Sequence, residues 1–289
     1  MITKEKIVLG LGILLAGLLQ TGELAAQSQS KKDSKEMTKS SEKKEGMQKK
    51  TGTVYLNESF ESHDVDSAPD LSELERDEMV TVIDGAGKVG SGKVLHFNDD
   101  DTDELGAMEL NIGDSAMGSM YVEFDAINND NAKGDKASAV IFGVGPWGSG
   151  RGLTLNSKSK RAFGFELYQQ KYLRLRVGDT QVSKLKYDAA AAFNVKIWAN
   201  DHDEKKLTYK RPDNGEAAEL GADSVVVWVN NALMTDLKAS GTPMNKEITE
   251  GNAVIGRAGL SSASSKVADF LFDNLHIEDP STPAKSDEK

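Results

Sequence analysis

The 289-residue chain has no cysteine, only six prolines and only 6% aromatic residues. The absence of cysteine excludes a disulfide scaffold, a cysteine-ligated metal site and a cysteine-linked lipid anchor. The four histidines are scattered along the chain and show no spacing typical of a zinc site. Hydrophobic residues make up 38% of the sequence. A single domain of more than about 200 residues can therefore bury a stable core without cross-links.

The first 26 residues are typical of a secretory signal. Lys4 and Lys6 form a short basic region, residues 7–19 are apolar, and Ala25 and Ala26 supply small residues for cleavage. The apolar run is shorter than the about 20 residues that span a membrane. We therefore expect export to the periplasm or the exterior, with no stable membrane span in the mature chain. An uncleaved N-terminal anchor is the alternative.

Residues 27–52 contain eight lysines and four acidic residues but no aromatic residue. Such a composition cannot offset the entropy lost on folding, so it predicts a disordered linker. Residues 280–289 form a polar tail. Subtracting the 10 basic and 6 acidic residues of positions 1–52 from the totals of 35 and 46 leaves 25 and 40, a net charge of −15. An acidic body argues against nucleic acid as a partner.

Between residues 53 and 279, short runs alternate apolar and polar residues, and Gly, Asn, Asp and Ser separate the runs. This pattern predicts roughly fourteen short β-strands and no helix longer than about one turn. Residues 168–171, 201–204 and 230–231 are predicted to form hairpin turns. The expected fold is all-β, a two-sheet antiparallel jelly-roll sandwich that follows a disordered N-terminal linker.

Five segments carry a resemblance to a known superfamily. In chain order they are residues 57–61 (NESFE), 89–95 (VGSGKVL), 121–125 (YVEFD), 225–233 (VVVWVNNAL) and 270–277 (FLFDNLHI). Their order resembles the concanavalin A-like lectin and glucanase superfamily, which includes laminin-G-like domains. The resemblance implies a sandwich over residues 53–279, in which an early strand pairs with the last strand. It also implies a carbohydrate-related function.

Alternation assigns the side chains of the central strands to two faces. Phenylalanine, leucine and valine occupy the face expected to lie inward, and aromatic and charged residues occupy the other face. If these strands share one sheet, its outer face suits a polysaccharide, because rings stack on sugars while charged donors bind hydroxyl groups and uronate carboxylates. The predicted carbohydrate-binding residues are Glu166, Tyr168, Tyr172, Arg174, Arg176, Lys196, Trp198 and Trp228.

The glycine-rich loop of residues 145–152 adds Trp147 and Arg151 to this predicted site, because rim loops commonly carry binding residues. The loop lacks the Lys-Thr pair and the following helix of a phosphate-binding loop. Cross-strand pairing alone is the alternative explanation for aromatic and arginine residues on an outer face.

Glu58 and Asp273 are the predicted metal ligands. In the last strand the apolar residues change phase between Phe272 and Leu275, which predicts a β-bulge that aims the Asp273 carboxylate. Jelly-roll relatives often hold one structural calcium where the first and last strands meet, so the resemblance implies one Ca²⁺ ion here. The acidic residues 98–104 lack the glycine and the glutamate of an EF-hand loop, which predicts a solvated turn.

Catalytic motifs of the superfamily are missing. Retaining glucanases carry Glu-x-Asp-x-x-Glu on one strand, and Glu123 and Asp125 lack the third member. Polysaccharide lyases of this fold use tyrosine with histidine or arginine, and the residues available for that role are Tyr168, Tyr172, Arg174, Arg176 and His202. The sequence therefore predicts a secreted, non-catalytic carbohydrate-binding or surface-interaction module. A polysaccharide lyase or glycoside hydrolase is the alternative, and a purely architectural envelope domain is the third reading.

Overall fold

The computed structural model describes residues 52–67, 74–76, 79–90, 92–100, 106–112, 117–130, 138–146, 153–249, 254–263 and 266–281. The predicted signal and linker, as well as Trp147 and Arg151, lie outside the described residues. Among the described residues, no helix is long and apolar enough to cross a membrane.

Nine strands of the described residues form one sheet, which we call sheet A. They are β1 (Thr53–Glu58), β3 (Val80–Asp84), β4 (Lys93–Asp99), β6 (Ser119–Asn128), β11 (Phe193–Asn200), β14 (Ser224–Val229), β15 (Ala232–Leu233), β16 (Thr242–Pro243) and β18 (Ala268–Asp279). The sheet has the order β15-β14-β11-β6-β18-β4-β3, with β1 beside β18 and β16 beside β14.

Seven described strands form a second sheet, sheet B. They are β2 (Leu74–Arg76), β5 (Ala107–Asn111), β7 (Ala139–Gly145), β8 (Phe163–Tyr168), β9 (Tyr172–Val177), β10 (Thr180–Lys186) and β17 (Arg257–Ser262). Their order in the sheet is β10-β9-β8-β7-β17-β5-β2. The remaining elements are the hairpin of β12 (Leu207–Lys210) and β13 (Ala217–Leu220), and the single-turn helices α1 (Leu153–Asn156) and α2 (Lys246–Thr249).

The core lies between the inner faces of sheets A and B. Phe124 of β6 contacts two rings of sheet B, with ring centres 5.9 Å from Phe142 and 6.4 Å from Phe165. All three rings are fully buried, and each contributes about 1.5–3 kcal/mol of hydrophobic stabilisation. The inward apolar residues of β8, β9, β11 and β14 belong to this layer, so the predicted division into inner and outer faces is confirmed for these strands.

The predicted pairing of the first and last strands, the late hairpin turn and the bulge are present. β1 pairs antiparallel with β18, and Asn230 and Asn231 form the turn between β14 and β15 with φ angles of 50° and 61°. The register of β18 against β6 shifts between Asp273 and His276, and Asn274 has a φ of 52°, which confirms the predicted bulge. The described strands therefore form the predicted two-sheet antiparallel sandwich.

Two local predictions are wrong. Residues 201–204 do not join a hairpin, because β12 pairs with β13 and leaves sheet A. The predicted strand at residues 252–256 is displaced, since the described residues 254–256 lead into β17, which begins at Arg257. Strand β10 was not expected, although Gly178 and Asp179 separate it from β9 as a two-residue hairpin turn, a recognisable sequence signal.

Candidate functional site on the outer face of sheet B

The eight predicted carbohydrate-binding residues of the strands do not share one surface. The five from Glu166 to Arg176 lie on β8 and β9 of sheet B, whereas Lys196, Trp198 and Trp228 lie on β11 and β14 of sheet A. Two sheets that pack through their inner faces turn their outer faces to opposite sides. The prediction of one shared groove is therefore wrong, and its error is the assumption that all these strands belong to one sheet.

The two tryptophans of sheet A are covered. Trp228 is 1% exposed and Trp198 is 9% exposed, beneath apolar side chains of the β12–β13 hairpin. The rings of Trp198 and Tyr209 lie 4.8 Å apart. The expectation that these tryptophans face solvent is wrong because residues 205–220 fold back over them as a separate ribbon. Lys196 stays at the surface, 3.5 Å from a carboxylate oxygen of Glu123.

Glu166 is the centre of the polar network on the outer face of sheet B. Its side chain is 3% exposed. Arg161 Nη2 donates to Glu166 Oε1 at 2.6 Å, Arg176 Nε donates to the same oxygen at 3.2 Å, and the Tyr168 hydroxyl donates to Oε2 at 3.0 Å. Three donors thus occupy the carboxylate. Glu166 therefore holds Tyr168 and Arg176 in position. The prediction that Glu166 itself is accessible to a ligand is wrong, because its side chain is buried.

A glycine makes room for the buried cation of this network. Arg161 is fully buried, and a Cβ atom at Gly164 would lie 2.3 Å from Arg161 Cζ. Arg161 Nη1 also donates to the Leu155 carbonyl at 3.1 Å, which ties α1 to the face of the sheet. A buried ion pair is stable only when its geometry and its hydrogen bonds offset the loss of hydration. A movement of any member would break one of these bonds, so the network holds the side chains in defined positions.

Tyr168 is a hydrogen-bond donor in this site. Burial raises the pKa of its hydroxyl, and the negative charge of Glu166 raises it further. The phenol therefore keeps its proton at neutral pH. His202, the histidine considered for a lyase, follows the end of β11 in sheet A rather than lying on the strands of this face.

Two cations rest on the aromatic rings. Arg174 Cζ lies 4.2 Å from the ring centre of Tyr168, and Lys184 Nζ lies 3.7 Å from the ring centre of Tyr172. Both tyrosines, Arg174 and Lys184 are half-buried, so rings and cations alike reach solvent. Sequence reasoning missed Lys184 because it missed β10. We call the set Tyr168, Tyr172, Arg174, Arg176, Lys184 and Lys186 the basic strip.

A depression of about 410 Å³ continues the basic strip at the open end of the β9–β10 hairpin, opposite its Gly178–Asp179 turn. It is lined by Lys171, Lys186, Tyr187 and Asp188. Lys186 is the cross-strand partner of Tyr172, so the depression adjoins the rings and cations described above. The surface therefore combines flat aromatic groups, charged donors and a concave end, which are the elements of a site for a polar ligand.

The predicted metal ligands lie close together at the bulge of sheet A. Asp273 is 3% exposed, and its pKa is raised, first by burial and then by the charges of Asp125, Glu61 and Glu58. A Cβ atom at Gly90 would lie 1.6 Å from Asp273 Oδ2, so only a glycine backbone can approach the carboxylate this closely. Among the described residues, no three carboxylate or imidazole groups are arranged to hold a metal ion by themselves.

No protein-family model matches the sequence, and no curated protein matches it. Several solved structures align with much of the chain at low identity. A sialidase aligns with a TM-score of 0.46 and 13% identity over 78% of this chain, but over only 18% of its own length. The Emp47p carbohydrate recognition domain aligns with a TM-score of 0.45, 11% identity and coverage of 78% of this chain and 97% of that domain. A GH131 β-glucanase catalytic domain from Podospora anserina aligns with a TM-score of 0.40, 12% identity and coverage of 81% and 88%, respectively.

Proposed function

We propose that the protein is an exported, non-catalytic glycan-binding module and that the basic strip of sheet B is its binding surface. The observation that carries the proposal is the set of half-buried rings and charged donors on one side of the sandwich. Within this set, the buried Glu166 network fixes Tyr168 and Arg176. Fixed side chains lose less entropy when a ligand binds, so an ordered surface favours binding.

The chemistry of the strip suits a sugar polymer. Tyrosine offers an apolar ring for sugar C–H groups and a polar edge for water. Arginine and lysine donate hydrogen bonds to hydroxyl or carboxylate oxygens. An open strip across the three neighbouring strands β8, β9 and β10 also fits an extended chain better than a compact ligand.

The test compares a tyrosine of the strip with a tyrosine on the opposite face. Purified protein is passed over a panel of immobilised neutral and anionic polysaccharides, and Kd is measured for each one that retains it. Tyr172→Ala and Arg174→Ala are expected to raise Kd by about tenfold or more, equivalent to about 1.4 kcal/mol each. Tyr121→Ala is the control, because Tyr121 is a half-buried tyrosine on the outer face of sheet A.

Two results would contradict the proposal. One is the absence of retention on every polysaccharide of the panel, and the other is equal binding by wild type and both strip variants. The enzymatic alternative is tested in the same samples through new reducing ends or the absorbance of an unsaturated uronate. Either product would replace the non-catalytic proposal with a hydrolase or a lyase.

We also propose a structural Ca²⁺ ion at the bulge of β18, with Glu58 and Asp273 among its ligands. The buried carboxylate and the neighbouring acidic groups offer the hard oxygen donors that Ca²⁺ prefers. Backbone carbonyl groups and water would complete the six to eight ligands, about the usual number for this ion. Mature protein should unfold at a higher temperature in Ca²⁺ than in a chelator, and Asp273→Asn should abolish the difference. An identical Tm in Ca²⁺ and in a chelator would contradict the proposed Ca²⁺ site.

The proposed setting is the periplasm or the exterior. Mass spectrometry of the protein recovered from the producing cells is expected to show a chain that begins at Gln27. A chain that retains residues 1–26 would indicate an uncleaved anchor instead.

A further inference from the structure

Arg174 and Lys184 are directly opposed cations on the outer face of sheet B. They are cross-strand partners in the register of β9 and β10. In the part of the chain that the structure describes, neither has a carboxylate within ion-pair distance. The nearest acidic neighbour across the sheet, Glu166, pairs with Arg174 in the register but is already bonded by Arg161, Arg176 and Tyr168.

This arrangement lowers the stability of the free protein. Like charges directly opposite each other on two strands repel, and the Arg174 Nε atom is buried without a hydrogen-bond acceptor. The rings of Tyr168 and Tyr172 hold both cations in place rather than letting them separate. An anion between the two groups would relieve the repulsion and supply the missing acceptor.

The positive charge of this surface contrasts with the negative charge of the rest of the chain. The chain after residue 52 has 25 basic and 40 acidic residues, a net charge of −15. On the strip and its depression, by contrast, Lys171, Arg174, Arg176, Lys184 and Lys186 outnumber Glu166 and Asp188. A local excess of positive charge on an acidic protein attracts anionic ligands to that surface and repels them from the rest.

We infer that the ligand of the basic strip is an anionic glycan, with a carboxylate or sulfate group held between Arg174 and Lys184. The inference rests on the proposed function and names its ligand class. Lys186 lies two residues beyond Lys184 on β10, about 7 Å along the strand, and faces the depression with Lys171. This second cation pair receives a further anionic group of the same polymer, so a chain with repeated charges binds more tightly than a charged monosaccharide.

The experiment titrates the mature protein with four polymers: polygalacturonate, dextran sulfate, neutral dextran and a single-stranded oligodeoxythymidine. The first two separate carboxylate from sulfate as the source of the charge. At least one of them is expected to bind about tenfold or more tightly than neutral dextran, with an affinity that falls as salt rises. Galacturonate monomer is expected to bind more weakly than polygalacturonate.

A pair of matched double variants assigns the effect to the strip. Lys184→Gln with Lys186→Gln is expected to weaken binding of the preferred anionic glycan about tenfold or more. Lys205→Gln with Lys210→Gln removes the same charge from exposed positions at the β12–β13 hairpin, which covers the outer face of sheet A, and is expected to leave Kd unchanged. Circular dichroism and Tm show whether each variant is folded.

The outcomes separate the inference from the function on which it rests. Equal affinity for neutral and anionic glycans, with loss of binding in Tyr172→Ala, overturns the inference and leaves the glycan-binding function. Equal effects of the two double variants also overturn it. Binding of oligodeoxythymidine as tight as that of the anionic glycans contradicts a glycan-specific site, and binding of no polymer at all removes both proposals.

Discussion

The outer faces of sheets A and B begin from the same sequence pattern and end in different roles. On each, aromatic and charged residues alternate with buried apolar residues. On sheet A the β12–β13 hairpin covers Trp198 and Trp228, which become part of a second small core. On sheet B the neighbouring strand β10 supplies Lys184, which rests on the Tyr172 ring and lies opposite Arg174, and the rings remain half-exposed.

The difference shows that alternation assigns a side chain to the outside of a sheet but not to solvent. What lies over the sheet decides whether an outward ring contributes to stability or to binding. The two faces therefore predict opposite consequences of substitution, which can be measured separately as unfolding free energy and as ligand affinity.

The largest effect on stability is expected at Trp228. Trp228→Ala should lower the free energy of unfolding by about 3–5 kcal/mol, because it leaves a cavity beneath the hairpin. Urea unfolding measures this change, and Trp228→Phe serves as the smaller truncation. Glycan affinity of the folded fraction should stay at the wild-type value. A stable Trp228→Ala protein with weakened binding would reverse the roles of the two faces.

A slightly smaller loss is expected at Glu166. Glu166→Gln removes the charge that compensates buried Arg161, and should cost about 3 kcal/mol in unfolding free energy. It should also weaken glycan binding, since Arg176 and Tyr168 lose their anchor. The double variant Arg161→Met with Glu166→Leu should recover much of the stability without recovering the affinity. Full stability in Glu166→Gln alone would show that the buried pair does not hold the strip.

The smallest effect on stability is expected at Asp201, which forms a contact between sheets A and B. Asp201 follows β11 of sheet A, and its Oδ2 accepts a hydrogen bond at 2.7 Å from the backbone N–H of Val254, which leads into β17 of sheet B. Burial raises the pKa of Asp201 from 3.8 to about 6. The folded protein therefore binds a proton that the unfolded chain releases between these two pH values.

The sign of the resulting pH dependence follows from that proton. The stability that depends on Asp201 should be fully present below about pH 4 and should decrease as the pH rises through about 6. Relative to Asp201→Asn, the wild-type protein should thus gain stability as the pH falls from about 8 to about 5. Thermal unfolding of both proteins across this range measures the difference. Parallel curves for the two proteins would contradict the raised pKa.

Sequence reasoning predicted the architecture better than the site for a physical reason. The alternation of apolar and polar residues within a strand is a local property of the sequence. It therefore predicts correctly which apolar residues of a strand face the core, and it predicts the bulge at Asp273 and Asn274. The sheet to which a strand belongs depends on pairings between distant residues. Nothing in the alternation of β9 or β11 shows that the first lies beside β10 and the second beside β6.

Burial of polar residues was also beyond the sequence pattern. Glu166 occupies an outward position of β8, yet Arg161 folds over Gly164 and closes it from solvent. The glycine at position 164 is visible in the sequence, but its role depends on the path of the chain through residues 153–161. Lys184 and Lys186, in contrast, could have been found from the Gly178–Asp179 turn between two alternating runs.

The assignment of binding to sheet B and of packing to sheet A is tested most directly by hydroxyl-radical footprinting with and without polygalacturonate. This measurement reports the accessibility of individual tyrosine and tryptophan side chains. We expect Tyr168 and Tyr172 to be oxidised in the free protein and protected by the polymer, and Trp198 and Trp228 to resist oxidation in both samples. Rapid oxidation of the two tryptophans that the polymer suppresses, with no change at Tyr172, would contradict the assignment.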